Sequence, residues 1–248
     1  MPNVGAVMPV FNHEPYVAEA IDSVVPQVER LVVVDDGSTD GCKRYLEDRA
    51  ESVGDITLMR HLINAGTGAA INTGIELLKD LGEFDWWTWV SSDNIHRPPC
   101  FQRLMDTAGA AEDVGVVYSG FQFWIIKNNT RRYHFKAYTP QALISGPNSF
   151  FGPSFIVRPE VWVEHRGHAA HDYDMWTRVE EACWERGLQI LSLNEDLCVY
   201  RSQHPHICPK TYDAKEWNIE ARKRRGLHAV GDHRQRGDHL RYRDSRRK

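Results

Sequence analysis

The chain has 248 residues, a formal net charge of −4, 42% hydrophobic and 26% charged residues, which suits one soluble α/β domain and is short for two. Five cysteines at 42, 100, 183, 198 and 208 are odd in number and form no C-x-x-C pair; this argues against a disulfide framework or a zinc site and fits a reducing, cytoplasmic location. No apolar run is long enough to cross a bilayer and no signal peptide is recognisable.

Val4 to Val10 is a short apolar run, too short for a helix, stopped at Phe11-Asn12-His13-Glu14-Pro15. Tyr16 to Val25 puts Val17, Ala20, Ile21 and Val24 on one helical stripe, and Pro26 ends that helix. Leu31 to Val34 is a second buried strand, with Asp35-Asp36-Gly37-Ser38 at its carboxyl end. Strand, crossover helix and strand make a βαβ unit with parallel strands. Ligands of open α/β sheets bind outside the carboxyl ends of the strands. Two adjacent carboxylates followed by Gly and Ser suit a polar ligand there, such as a ribose or a base edge, and would repel a bare phosphate. A plain Asp-Gly turn is the alternative.

Pro9-Val10-Phe11-Asn12 and Val33-Val34-Asp35-Asp36-Gly37-Ser38-Thr39-Asp40 resemble, in order and spacing, the opening of family-two inverting glycosyltransferases with the GT-A fold. The resemblance implies an α/β architecture: a single GT-A (Rossmann-like) domain, here over residues 1–211, with a mixed, mostly parallel sheet flanked by helices. Residues 212–248 read as a basic helix and tail. The resemblance also implies that Asp36, with Asp35 beside it and Pro9 and Phe11 near the base, holds the nucleotide of a sugar donor.

Cys42 to Ala50 is a helix capped by Thr39 or Asp40, and Ile56 to Met59 is a third strand. Asn64-Ala65-Gly66-Thr67-Gly68 then opens a helix, its glycines letting a backbone approach something closely. No Gly-Lys-Ser/Thr follows, so this is not a Walker loop. The form N-x-G-x-x-x-A-x-N-x-G resembles the next family element, whose loop and helix face the donor, and so brings Asn64 and Gly66 into the donor set. Close helix-on-sheet packing is the alternative, and holds for Ala70 and Gly74 in either case. Trp86 to Ser91 is a strand crowded with aromatic and β-branched residues. Ser91-Ser92-Asp93-Asn94 at its end falls where the family carries a short acidic metal-binding motif. Asp93 matches the aspartate that binds a divalent ion, Mn²⁺ or Mg²⁺, bridging the donor's diphosphate. Ser92 stands where a second carboxylate often stands and is read with the donor-binding residues. One carboxylate plus phosphate oxygens can hold such an ion, weakly without donor; a strand-end turn is the alternative.

His96 to Gly109 gives a helix after Pro98-Pro99, and Val114 to Tyr118 a strand. Gln122 to Ile126 and Arg132 to Tyr138 form a hairpin around Lys127-Asn128-Asn129-Thr130. Phe150 to Arg158 resembles the segment lining the family's site floor, although its aromatics read as core. A helix from Asp172 to Arg186, stopped by Gly187, carries Met175, Val179, Ala182 and Cys183 as its apolar stripe. Asp172 sits in the first turn, where the helix dipole favours a carboxylate. His168 to Arg178 resembles the family's Glu-Asp motif with its Trp-x-Arg helix, which implies that Asp172 is the general base for the acceptor hydroxyl, with His171 replacing the usual glutamate. Asp174 lies about 200° further round the helix, and either aspartate could instead be a cap. After strands at Leu188 to Leu193 and Leu197 to Tyr200, Arg201-Ser202-Gln203-His204 resembles an Arg-x-x-His segment in a loop that closes over the diphosphate. Arg201 is read there as a phosphate partner, and His204 as a metal ligand or a donor to the leaving group.

From Lys215 onward, 12 Lys or Arg against 5 Asp or Glu give +7, so the rest of the chain carries −11. That segment is a solvated tail or a contact surface for a polyanion. The predicted reaction is metal-dependent, inverting transfer from a nucleoside diphosphate sugar, UDP favoured, to an acceptor hydroxyl of a saccharide or glycan. Two alternatives are a DNA glycosyltransferase acting on hydroxymethylated pyrimidines and a non-catalytic sugar-nucleotide or nucleic-acid binding module. A pyrophosphorylase would need a Gly-rich first loop where Pro9-Val10-Phe11-Asn12-His13 stands.

Overall fold

The structure is a computed structural model that describes residues 3–139, 151–166 and 171–202. Strands β1 (Val4–Val10), β2 (Arg30–Asp35), β3 (Thr57–Arg60) and β4 (Trp86–Trp89) are parallel, in spatial order β3-β2-β1-β4. The sheet continues through β5 (Ile95–His96), β6 (Val114–Ile125), β7 (Thr130–His134), β8 (Phe155–Val157) and β9 (Gln189–Ser202). Beyond β4 the order is β8-β6-β9-β5, with β7 paired to β6 as a hairpin. β8 is antiparallel to both β4 and β6, and β9 is parallel to β6 over nearly its whole length. The result is a mixed sheet whose longest ladders are parallel, flanked by helices, as the sequence predicts.

Among the described residues, five helices, α1 (Glu14–Val24), α2 (Cys42–Ser52), α3 (Thr67–Leu81), α4 (Cys100–Ala108) and α5 (His171–Glu185), cover its faces. β1 shows why the first strands read as unbroken apolar runs. Val4, Ala6, Met8 and Val10 pack with Val17, Ala20, Ile21 and Val24 of α1 and with Phe101 and Leu104 of α4. Val7, on the other face, packs with Val32, Val34 and with Ala70, Ile71, Ile75 and Leu78 of α3. Both faces are dry, as in a central parallel strand, and each large apolar side chain buried there contributes about 1.5–3 kcal/mol. A third cluster joins β6 and β8 to Met175, Trp176, Val179 and Cys183 of α5. Within this cluster Phe151 stacks on Trp176 and Phe155 meets it edge-to-face, so the aromatics of the 150–158 segment that the structure describes are core.

Gly74 sets how closely α3 approaches the sheet. A Cβ there would lie 2.3 Å from Val7 Cγ1 and 3.2 Å from Val34 Cγ2, and branched valines on a packed strand cannot swing away. Gly74→Ala is expected to destabilise the fold by about 1–3 kcal/mol through overpacking, read as a lower urea midpoint with an unchanged m-value.

Several boundaries differ from the sequence reading, among them the second hairpin strand, which is Thr130–His134 rather than Arg132 to Tyr138. The fourth helix starts at Cys100 rather than His96, because Ile95 and His96 pair with β9 and residues before proline disfavour the helical region. The strands read at Val114–Tyr118 and Gln122–Ile126 are one, Val114–Ile125, since Gly120 stays in the ladder with the Tyr133 ring over its bare Cα. Leu188–Leu193 and Leu197–Tyr200 are likewise joined in β9, with register shifts that absorb polar Asn194-Glu195-Asp196.

His96 is fully buried, its ring stacked on Phe101 and its Nε2–H donating to the Pro153 carbonyl at 3.1 Å. Burial lowers its pKa from 6.5 to about 4, so protons bind the unfolded chain more readily. The stabilisation from the neutral ring is complete above pH 6.5 and is lost as pH falls towards 4, by roughly 3 kcal/mol. The urea midpoint of the wild type should drop through that window, and His96→Gln should flatten the drop.

Candidate active site

The predicted site residues that the structure describes gather at the carboxyl edge of β2, β1 and β4. Pro9 is buried in β1 opposite Val34, and Phe11 follows it half-buried. Asn12 takes a left-handed φ of 54°. Its N–H donates to Ser38 Oγ (3.1 Å), and its Oδ1 accepts from the N–H of Thr39 (2.8 Å) and of Asp40 (3.3 Å). The first and second strand-end loops are thereby tied together.

The two acidic residues differ in what they do. Asp35 is wholly buried; Oδ2 accepts from Arg60 Nε (2.9 Å) and Nη2 (2.6 Å), and Oδ1 accepts from the Ser38 N–H (3.0 Å). These bonds hold the Asp35 carboxylate against Arg60 and brace the turn at the end of β2. Asp36 is 2% exposed. Its Oδ1 accepts from His61 Nδ1 (2.7 Å) and the Ala65 N–H (2.9 Å), and its Oδ2 from the Gly66 N–H (2.8 Å). A carboxylate only accepts, so His61 Nδ1 carries the proton; Nε2 meets Thr73 Oγ1 at 3.0 Å. Asp36 therefore holds the Asn64–Gly66 loop at the mouth of α3. Gly66 takes a φ of 92°, which favours glycine, and Asn64 is exposed.

The turn after β4 is pinned from three sides. Ser92 is buried and bonded through Oγ to His13 Nδ1 (2.7 Å). Asn94 is buried, its Oδ1 accepting from the Arg201 N–H at 3.3 Å. Arg201 is 3% exposed; its guanidinium donates to the Asp93 carbonyl (2.9 Å), pairs with Glu19 and lies 5.3 Å from the Tyr16 ring centroid. Arg201 thus fixes the backbone that presents Asp93, whose side chain is half-buried. His204 lies outside the described residues, as does the basic segment from 215.

α5 brings the remaining candidate. Asp172 occupies its first turn. Two residues on, Asp174 is 2% exposed and locked by Arg178 (Nε 2.9 Å, Nη2 2.8 Å), with Arg166 at 3.8 Å, which marks it as a structural carboxylate. The same 165–166 segment reaches α3: Asn72 and His165 exchange two bonds of 2.8 Å, and His165 Cβ lies 3.2 Å from where a Cβ on Gly68 would sit. Helix α5 therefore begins beside the helix that carries the Asp36-held loop.

Sequence reasoning missed His13, Glu19 and His61, whose partners are 79, 182 and 25 residues away. A nucleophilic cysteine finds no support among the described ones. All four are buried, and burial pushes the Cys42 and Cys183 thiols up to about 12, with neighbouring Asp40 adding to the shift at Cys42. No group of three or more His, Cys, Asp and Glu is arranged for a metal among the described residues.

A sheet of this topology, with an acidic turn and a pinned aspartate at its carboxyl edge, defines the GT-A class of α/β protein. The profile of glycosyl transferase family 2 matches residues 6–167. The chain belongs to that family. It is 33% identical over 136 residues to an uncharacterised glycosyltransferase of Rickettsia felis, covering 53% of this chain and 22% of that protein. It is 28% identical over 194 residues to the uncharacterised glycosyltransferase RT0329 of Rickettsia typhi, covering 71% and 58%. The chain thus spans less than two thirds of these curated relatives. Among solved structures, Staphylococcus aureus TarS 1-349 in complex with UDP-GlcNAc superposes with a TM-score of 0.64 at 17% identity, over 89% of this chain and 64% of that one. The mannosyltransferase PcManGT from Pyrobaculum calidifontis, in complex with GDP-Man and Mn²⁺, gives 0.56 at 19%, over 88% and 60%. These likenesses show the fold. Among the described residues no helix is long and apolar enough to cross a membrane.

Proposed function

We propose that the chain is a metal-dependent, inverting glycosyltransferase that moves a sugar from a UDP-sugar to a hydroxyl of a saccharide or glycan. The observation that carries this reading is the pinned Ser92-Asp93 turn standing beside the Asp36-held loop at one edge of the sheet. The neighbouring structures hold UDP-GlcNAc in one case and GDP-Man with Mn²⁺ in another, which supports the donor class and the ion. The residues present fit a divalent ion that arrives with its substrate. Asp93 offers one hard carboxylate, and the donor's phosphates supply further oxygens. When bound, such an ion neutralises the charge developing on the departing diphosphate.

The protein's own residues do the rest. The Asp36-held loop offers a fixed edge to the nucleotide, and Pro9, Phe11, Asn64 and Ser92 complete that wall. Arg201 and Glu19 hold the backbone of Asp93 in place, and Arg201 contributes positive charge beneath the diphosphate. Asp172, at a helix start where a carboxylate is favoured, takes the proton of the acceptor hydroxyl as it attacks the anomeric carbon. His204 assists at the metal, and a cytoplasmic location belongs to the same proposal. A hydroxymethylated pyrimidine in DNA has no observation in its favour.

The test is turnover. UDP release from UDP-sugars with Mn²⁺ should rise when a saccharide acceptor is added, with a hexose-sized mass gain on the acceptor and inverted anomeric configuration. Donor binding without release from any nucleotide sugar would return the chain to the reading of a non-catalytic binding module.

A further inference from the structure

The reaction site has a basic, aromatic neighbour that the proposed chemistry does not use. From Val114 to Thr139 the chain holds four Lys or Arg and no Asp or Glu, although residues before Lys215 carry −11 in all. This run is the β6–β7 hairpin. β6 is antiparallel to β8, and β8 to β4, so β6 ends at the same edge as β4 and its hairpin tip stands on the side of Asp93. Lys127, Arg131 and Arg132 are exposed, and among the described residues no carboxylate forms an ion pair with them. The acids that approach the hairpin base, Asp196 and Glu195, are paired with Arg97 and Arg103.

Aromatic rings lie between these cations. The Arg131 guanidinium sits 4.6 Å from the Trp124 ring centroid, and Arg201 approaches the same ring at 5.7 Å. Arg201 donates in turn to the Asp93 carbonyl at 2.9 Å. On the other face of the ladder, Phe123 packs with His134 and Tyr200, all partly or largely exposed. Apolar ring faces beside unpaired guanidinium and ammonium groups match a sugar chain: the C–H faces lie on the rings and acidic substituents pair with the cations. Three unpaired cations on one hairpin suit a polymer with one charge per sugar. They fall short of the roughly six to ten phosphate contacts of a protein that tracks nucleic acid.

Resting on the glycosyltransferase reading, we infer that the β6–β7 hairpin is the docking surface for an anionic saccharide acceptor, one bearing a carboxylate or phosphate on its sugar units. The hairpin holds the acceptor chain by charge and ring contact, and the ladder from Trp124 through Arg201 to Asp93 leads from that surface to the reacting end.

The test titrates the full chain with a galacturonic acid hexamer, its fully methyl-esterified neutral counterpart and a twelve-residue oligothymidylate, and in parallel with UDP and Mn²⁺. The wild type should bind the acidic hexamer at least about tenfold more tightly than the ester, with affinity falling as salt rises. The triple variant Lys127→Gln, Arg131→Gln, Arg132→Gln should lose most of that preference while keeping UDP affinity. Equal binding of acid and ester, unchanged acid binding by the variant, or no binding of the hexamer would overturn the inference. Tighter binding of the oligonucleotide would overturn it in favour of a nucleic-acid surface. Failure of the enzymatic reading shows separately, as absent UDP binding by the wild type.

Discussion

Asp172→Asn is expected to lower kcat by about 10²–10⁴-fold, the usual contribution of a positioned general base, while donor KM stays within about threefold. The substitution keeps the size of the side chain and its capacity to cap a helix, since asparagine serves there as well as aspartate. Only the ability to take a proton is lost. A purely structural Asp172 would therefore tolerate asparagine. Asp174→Asn provides the contrast: its carboxylate is locked by Arg178 and Arg166, so its loss should appear in the unfolding midpoint rather than as a selective fall in kcat. Single-turnover kinetics on both variants separates the two roles.

Asp36→Ala is the second large effect. It leaves three donors at a buried position, the His61 Nδ1–H and the N–H groups of Ala65 and Gly66, without their acceptor. Leaving such donors without their acceptor costs about 1–3 kcal/mol, and here the loss falls on a loop as well as on the fold. Donor affinity should drop by more than about tenfold even at temperatures where the variant remains folded. Asp36→Asn should rescue it only in part, because one carboxylate oxygen becomes an NH₂ that faces an N–H. Calorimetric binding of UDP with Mn²⁺, alongside urea unfolding, measures both consequences. Equal affinity in wild type and Asp36→Ala would mean that the Asn64–Gly66 loop plays no part in the site.

The first strands were legible because physics makes them conspicuous. Val4–Val10 and Leu31–Val34 are packed on both faces, so their apolar runs have no polar alternation and can be neither surface helix nor loop. The chemistry at their ends was legible as residue types at strand termini. What the sequence conceals is the set of partners. Asp35 and Asp36 are adjacent in the chain and look alike, yet one faces Arg60 and the other the Asn64–Gly66 loop. Successive residues point to opposite sides, and only the fold decides what stands on each. The Arg-x-x-His pattern shows Arg201 but not its partners: its guanidinium meets Glu19 across 182 residues and the carbonyl of Asp93. No local pattern encodes such a pairing. The break between the strands at Val114–Tyr118 and Gln122–Ile126 is absent from the fold, where Gly120 makes room for Tyr133 inside a continuous strand.

The most direct measurement is isothermal titration of UDP into the full chain, with Mn²⁺ and then with excess chelator, for wild type and Asp93→Asn. Asp93 stands on a turn held by Ser92, Asn94 and Arg201, and asparagine keeps the size of its side chain while removing the carboxylate charge. One-site binding that needs Mn²⁺ and weakens by more than about tenfold in Asp93→Asn is the predicted result. Binding that is indifferent to chelator and to the substitution, or no binding of UDP by the wild type, would contradict a metal-assisted UDP-sugar site at this edge of the sheet.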